Sequence, residues 1–408
     1  MTKAEIVDAA FHVWGCNFYQ KTSLSQLAEE LKVSKPALYR HFEKKQALSA
    51  AMTERFFDDF TASVRADFER ALQAKDADEG IYTLVQGITG FYARNVYALL
   101  FSLVNIYNRN LDTQTISEHF KARGTDIKTL QLVIEKKYDA NPTVLNLVFA
   151  TLTFFISCFH KTNNSFVNPP PEEEIQKIVS TIYEIIKNGT EFSAEEIVAL
   201  DFEKLENMVE GRMHGEEPEP LLKAIAEAVA EAGPWETSMN MVAKRMGISK
   251  SSLYGHFKNK KDMLRRLFVS EFERIIDFAQ QGIKLSSDTA EQLYLGIFSI
   301  AVYLRSRPEI LTAIDWIRTR KLDLGKPEKE PDYLRPFKNI EFKRRYIKDD
   351  KTKLLTYYWV LFLLTNILIQ PFMKKNTQSA GIPSGKVQND DIRVLYKFIT
   401  LGLGGFKR

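Results

Sequence analysis

Residues 34–45 read SKPALYRHFEKK, and residues 249–260 read SKSSLYGHFKNK. The two stretches lie 215 positions apart, and the ungapped offset that aligns them holds across 27 positions, from Thr22 to Leu48. Ten residues recur: Thr22, Ser23, Ala28, Ser34, Lys35, Leu38, Tyr39, His41, Phe42 and Lys45 return as Thr237, Ser238, Ala243, Ser249, Lys250, Leu253, Tyr254, His256, Phe257 and Lys260. Five more pairs exchange one apolar residue for another: Leu24 with Met239, Leu27 with Val242, Leu31 with Met246, Val33 with Ile248 and Leu48 with Met263. Polar identity kept together with apolar spacing marks an internal duplication.

Each copy reads as short helices joined by tight turns. IVDAAFHVW (6–14) carries apolar residues at helical spacing, Thr22 and Ser23 supply a cap for LSQLAEEL, and Ser34 caps PALYRHF. A longer amphipathic helix runs from Gln46 to about Leu72. The second copy repeats the order with EPLLKAIAEAVAEAG, TS, MNMVAKRMG and SKSSLYGHF. Gly247 stands where a helix end calls for a positive φ; the first copy has Lys32 there, at a small cost. Two short capped helices meeting at a three-residue turn form a helix-turn-helix unit. On duplex DNA such a unit needs its second helix free to enter the major groove and a ring of phosphate ligands to hold it in register. Ser23 and Ser238 at helix amino termini, the phenols of Tyr39 and Tyr254, and Lys45 and Lys260 as mobile point charges are candidates for that ring.

The pattern TS-x4-A-x5-SK-x2-LY-x-HF-x2-K resembles the DNA-binding segment of the tetracycline-repressor (TetR) family of bacterial transcription regulators. The resemblance implies an all-α chain of two tandem units, each a helix-turn-helix domain followed by a helical body that binds a ligand and dimerises through its last two helices. The expected division is 1–48 and 220–263 for the two DNA-binding domains, 49–190 and 264–408 for the two bodies, and 191–219 for a linker, which holds ten acids against Lys204 and Arg212. It places base readers at Lys35, Pro36, Ala37 and Arg40, and at Lys250, Ser251, Ser252 and Gly255. Phosphate contacts fall to Ser23, Tyr39, His41 and Lys45, and to Ser238, Tyr254, His256 and Lys260. Phe18 departs from the glycine usual before Tyr19, and two units fused in one chain depart from the family norm.

Composition bounds the rest. A chain of 408 residues with 45% hydrophobic and 26% charged residues is long enough for two or more ordinary domains. Its net charge of +4 means that affinity for an anion must come from local clusters. From Ser238 to Arg266 there are eight lysines and arginines against Asp262 alone, while Ser23 to Ala51 has five against three acids, so the second copy is expected to hold phosphates harder. Two cysteines, Cys16 and Cys158, make no disulfide framework and suit a reducing cytoplasm, and the acids Glu5 and Asp8 exclude a secretory signal at the start.

Two uncharged runs, 143–160 and 354–373, invite a membrane reading. Each contains polar groups (Asn146, Thr151, Asn366, Gln370), and a helix apolar all round also suits a buried four-helix interface. No membrane partner is therefore expected. His12 and Cys16 share one helix face at i, i+4 without a third ligand, so no metal or other cofactor is expected, and no glycine-rich phosphate loop or nucleophile motif points to an enzyme. Phe91, Tyr92, Phe101, Tyr107, Tyr294, Phe298, Tyr303 and Trp316 read mainly as core, with some expected to line a ligand cavity.

The combined reading is a cytoplasmic, nucleoid-associated regulator that binds double-stranded DNA and is released by a small apolar or amphipathic effector. Its halves are expected to pair within one chain through 143–188 and 353–404, with further association of chains left open. The rivals are a helical scaffold that has lost DNA binding and a membrane-associated sensor.

Overall fold

A computed structural model describes residues 2–16, 23–103, 105, 111, 113–163, 170–211, 219–319, 331–338, 340, 347, 349–373 and 388–408. Among these residues the regular structure is helical, apart from one isolated antiparallel bridge between Tyr138 and Lys407. In chain order the α-helices are α1 (Lys3–Cys16), α2 (Leu24–Glu30), α3 (Lys35–His41), α4 (Lys45–Gln73), α5 (Ala77–Arg94), α6 (Val96–Ser102), α7 (Thr113–Ala122), α8 (Thr129–Glu135), α9 (Pro142–Asn163) and α10 (Glu172–Asn188). They continue with α11 (Ala194–Val198), α12 (Phe202–Glu210), α13 (Pro220–Glu236), α14 (Met239–Met246), α15 (Lys250–His256), α16 (Lys260–Ile283), α17 (Thr289–Ser306), α18 (Pro308–Thr319), α19 (Asp350–Met373) and α20 (Asn389–Leu401). The chain divides into two compact units, Met1–Ile186 with Phe406–Arg408, and Lys187–Gly405.

In the first unit, α1 packs on α2 and α4 through Ile6, Val7, Ala10 and Val13. The 29-residue α4 buries Leu48, Met52, Phe56, Phe60, Val64, Phe68 and Ala71, a stripe at three- and four-residue spacing that lies along α5. In the second unit, α16 lies along α17, and α17 also meets α12, α18, α19 and α20. The helix α13 bends at Gly233, whose φ of 77° and ψ of 159° suit glycine, with Pro234 next. Buried Thr237 fixes the bend, its hydroxyl reaching the carbonyls of Ala228 (3.1 Å) and Gly233 (2.7 Å). The first copy's counterparts, Phe18 and Thr22, lie outside the described residues.

The duplication runs on into the bodies. Both α5 and α17 are 18 residues long, and each opens on an aspartate cap, Asp76 accepting from the N–H of Glu79 and Asp288 from that of Glu291, both at 2.9 Å. Each ends on the same bent backbone, φ −128° and ψ 70° at Asn95 and φ −128° and ψ 65° at Arg307. This register is three residues off the one that aligns the heads, which hides it from an ungapped comparison.

The stretch read as an acidic linker, 191–219, is built into the second unit as far as Gly211. Glu206, 5% exposed, explains why: it accepts from the Tyr294 hydroxyl at 2.5 Å, from Asn389 at 2.8 Å, and from Arg393 at 2.8 and 3.0 Å. Phe202 meets the rings of Tyr294 and Tyr396 at 4.8 and 5.9 Å.

The two uncharged runs fall in α9 and α19, which are long and apolar enough to cross a membrane by length and composition. Of their most apolar windows 56% and 67% is buried in the fold, α9 against α5 and α6 and α19 against α17, α18 and α20. That is the behaviour of core helices.

Candidate nucleic-acid interface

Ser23 opens α2 with a reciprocal cap: its hydroxyl accepts from the Gln26 N–H at 3.2 Å, and the Gln26 side chain accepts from the Ser23 N–H at 2.7 Å. In the second copy the Ser238 hydroxyl accepts from the Met241 N–H at 3.2 Å, but Met241 has no acceptor to return the bond. The Ser238 N–H is therefore not committed to a box, and the second head keeps one more donor at the place where a phosphate is expected. Both turns that follow use a left-handed residue, Lys32 at φ 54° and Gly247 at φ 67°. The bonds close identically: Lys32 N–H to the Glu29 carbonyl and Val33 N–H to Ala28 in one, Gly247 to Lys244 and Ile248 to Ala243 in the other.

The second helix of each pair is then set by Ser34, accepting from the Ala37 N–H at 3.3 Å, and Ser249, accepting from the Ser252 N–H at 3.0 Å. One turn inside, Leu38 and Leu253 are fully buried, and Phe42 and Phe257 end each helix in the same core. Helical geometry sends positions 36 and 40 of α3, and 251 and 255 of α15, away from those anchors. Lys35, Pro36, Tyr39 and Arg40 are exposed, with Ala37 and His41 half-buried; Lys250, Ser251, Ser252, Tyr254, Gly255 and His256 are all exposed. Tyr39 and Tyr254 stand 44% and 48% open to solvent, unusual for tyrosines on short helices with buried faces. A side chain built at Gly255 would meet nothing within 4 Å, so α15 offers open space where α3 offers a guanidinium.

Two expectations change. Lys260 is no mobile charge: its ammonium donates to the Trp235 carbonyl at the end of α13, which fixes the corner between α13 and α16. Lys45, at the matching start of α4, is half-buried, and burial lowers its pKa. The charge contrast between the copies is also smaller than a count of residues gives. Of the eight cations in the second copy, Arg245 is paired with Glu227 and Glu231 of α13, while Arg265 (2.7 Å) and Arg266 (3.6 Å) are paired with Asp262. Asp262 is itself buried and held below the usual carboxylate range: burial would raise it, but the Lys258 N–H and the two guanidiniums outweigh burial.

Asp262 and Asn259 together cap α16, Asn259 accepting from the Asp262 N–H at 2.9 Å and Asp262 from the Lys258 N–H at 3.1 Å. The spacing N-x-x-D just before an amphipathic helix was the available signal. Lys44, at the same place before α4, makes no side-chain cap.

The aromatic candidates divide. Phe91, Tyr92 and Phe101 are buried in the first unit, Phe91 facing Phe56 (6.4 Å) and Phe60 (5.1 Å) and Phe101 facing Phe11 and Phe56, both at 5.2 Å. Tyr294, Phe298 and Tyr303 are buried in the second. Tyr107 and the side chain of Trp316 lie outside the described residues, as does the side chain of Cys16. His12 is exposed and meets the Tyr97 ring edge at 4.9 Å.

A family model for bacterial regulatory proteins of the tetR family matches residues 6–52 and 221–267, the two heads with the start of the helix that follows each. Among curated proteins, the fatty acid metabolism regulator protein of Bacillus subtilis (strain 168) is 27% identical over 120 residues, 29% of this chain. The match spans 61% of that relative's length.

Proposed function

We propose that this chain, which carries two tetR-family DNA-binding units in tandem, is a transcriptional regulator that reads an asymmetric operator with two non-identical heads. The observation that carries the reading is the pair of outward helix faces, Lys35–Pro36–Arg40 with half-buried Ala37 and Lys250–Ser251–Ser252–Gly255, each mounted on the same capped and buried frame. A frame kept twice, with Lys35 retained as Lys250 and the other three positions changed, is what two readers of different half-sites need. Arg40 reaches a guanine edge and Ala37 packs on a thymine methyl, whereas Ser251 and Ser252 bring hydroxyls and Gly255 brings no side chain. Ser23, Tyr39, His41 and Lys45, with Ser238, Tyr254, His256 and Lys260, serve the backbone, and Lys260 does so while holding its corner.

The activity is binding and not catalysis, in the cytoplasm and on the nucleoid. Repression is relieved by an apolar or amphipathic effector taken up by an aromatic-rich body. Long-chain acids and their derivatives come first as trial effectors, because the partially matching relative is named a fatty acid metabolism regulator. The segments 143–188 and 353–404, which end the two repeats, form an intrachain counterpart of a dimer interface, so a single chain suffices on DNA.

The test is binding of the intact chain to duplex DNA over a range of salt concentrations. Affinity that falls steeply with salt, and that drops in Tyr39→Ala/Tyr254→Ala with the helical content kept, supports the reading. Affinity that is absent, or flat with salt, rejects it in favour of a scaffold.

A further inference from the structure

The two bodies differ at one matched place. In the first unit Phe56 of α4 meets Phe91 of α5 at 6.4 Å, and Asn95, at the bend after α5, donates to its own helix at the Phe91 carbonyl (2.8 Å). The registers that align the heads and the α5/α17 pair put Glu271, Tyr303 and Arg307 in these positions of the second unit. There the contacts are a hydrogen bond and ion pairs. Glu271, 1% exposed, accepts from the Tyr303 hydroxyl and, at 3.3 Å, from Arg307, which is 8% exposed and also paired with Glu309. Burial and the carboxylate keep the Tyr303 phenol protonated; burial would lower Arg307, but Glu309 and Glu271 outweigh it and raise its pKa.

We propose that Glu271, Tyr303 and Arg307 are positioning residues: a buried latch that bolts α16 to the corner between α17 and α18 and so fixes the direction of the helix on which the second DNA-binding head is mounted. Glu271 lies eleven residues after Lys260, about 16 Å along the helix from the head. A charged triad taken out of water is a poor source of net stability, and apolar residues of similar size often replace one without loss. The first unit is the demonstration, since Phe56 and Phe91 fill the same place with a packed core. What the triad adds is direction, because a carboxylate that binds a phenol and a guanidinium at once is held to one geometry by directed bonds, whereas the edge-to-face contact of Phe56 and Phe91 is not fixed by directed hydrogen bonds. The second head is thereby fixed through a buried carboxylate, whereas at this level the first unit's α4 is held by the Phe56–Phe91 packing inside and, on its solvent side, by Arg123 paired with the exposed Glu54 (2.6 Å) and Asp58 (2.7 Å).

The part of this inference that concerns DNA rests on the function proposed above; the mechanical part stands without it. The experiment is hydrogen exchange on the intact chain, with binding to duplexes in which one half-site at a time is scrambled. Two variants are compared with the parent: Glu271→Gln, which keeps the shape and an acceptor for Tyr303 but loses the charge, and Glu271→Phe/Tyr303→Phe/Arg307→Asn, which installs the first unit's residues. Both are expected to speed exchange at the amides of α14 and α15 about tenfold, with α2 and α3 unchanged, and the triple variant to do so at unaltered denaturant stability. On DNA, both lose affinity for the duplex that retains the second head's half-site and keep it for the other. Should Glu271→Gln unfold the second unit, the triple variant carries the test. Parental exchange in α14 and α15 of the folded triple variant overturns the latch; faster exchange in a chain that binds no DNA upholds the latch and overturns the function.

Discussion

Lys32 and Gly247 hold the same left-handed backbone, φ 54° and 67°, in the same pair of turn-closing bonds. A lysine there carries the clash between its Cβ and the following carbonyl, which glycine escapes. Lys32→Gly should therefore stabilise the first unit by about 1 kcal/mol, and Gly247→Lys should destabilise the second by a similar amount, both read from denaturant midpoints. The position was legible because a helix end leaves carbonyls that only a left-handed residue closes neatly. His160 was not. It stands in the uncharged run of α9, 2% exposed, with Nε2 donating to the Tyr92 carbonyl at 2.9 Å and Nδ1 without a partner among the described residues. Burial lowers its pKa more than the carbonyl raises it. The unfolded chain then takes up the proton first, so the neutral form's contribution is complete above about pH 6.5 and is lost as pH falls below it. Thermal melts between pH 7.5 and 5 should show the first unit weakening, and His160→Gln should flatten that dependence.

At the scale of the element, the helix pairs and their caps followed from the apolar period and the Ser residues at positions 23, 34, 238 and 249, and the structure has all four caps. The charge of the second head did not follow, because the partners that neutralise Arg245 come from one face of α13, at Glu227 and Glu231. Nor did the place of α12: among the described acids of the stretch Glu206 is the buried one, and composition cannot distinguish it. Glu206→Ala should cost the second unit about 3 kcal/mol by removing the buried acceptor shared by Tyr294, Asn389 and Arg393 and leaving Arg393 to the exposed Asp390, measured as a lower midpoint with the first unit's transition unmoved. On the reading helices, Arg40→Ala should change which base is preferred, an edge contact being worth roughly 1–3 kcal/mol of discrimination. Gly255→Arg should give α15 a new preference without loss of folding, since the space is open. Lys260→Ala should weaken all sequences alike, lower the salt slope by about 0.9, and also loosen the corner held at Trp235.

For the whole molecule, the duplication itself was legible in a dozen residues, and two compact units, each with its own head, are what the structure contains. The unit boundary was less so. The acidic stretch looked like a spacer, but the fold changes hands at Ile186–Lys187, before it, and again at Gly405–Phe406 near the chain's end. Proximity in sequence to a run of like charge was the wrong guide, because burial of Glu206 and Leu205, with Phe202 packed on Tyr294, decides which unit the stretch joins. With both heads on DNA as proposed, the operator need not be symmetric. A homodimer must read one half-site twice, whereas here Arg40 and Gly255 occupy matched positions and cannot ask for the same base. The most direct measurement is selection of bound sequences from random duplex DNA by the intact chain. The account predicts two different half-sites about one helical turn apart, roughly 34 Å, the better defined one assigned to the first head by its shift in Arg40→Ala. A strictly palindromic consensus, or one half-site alone, would contradict it.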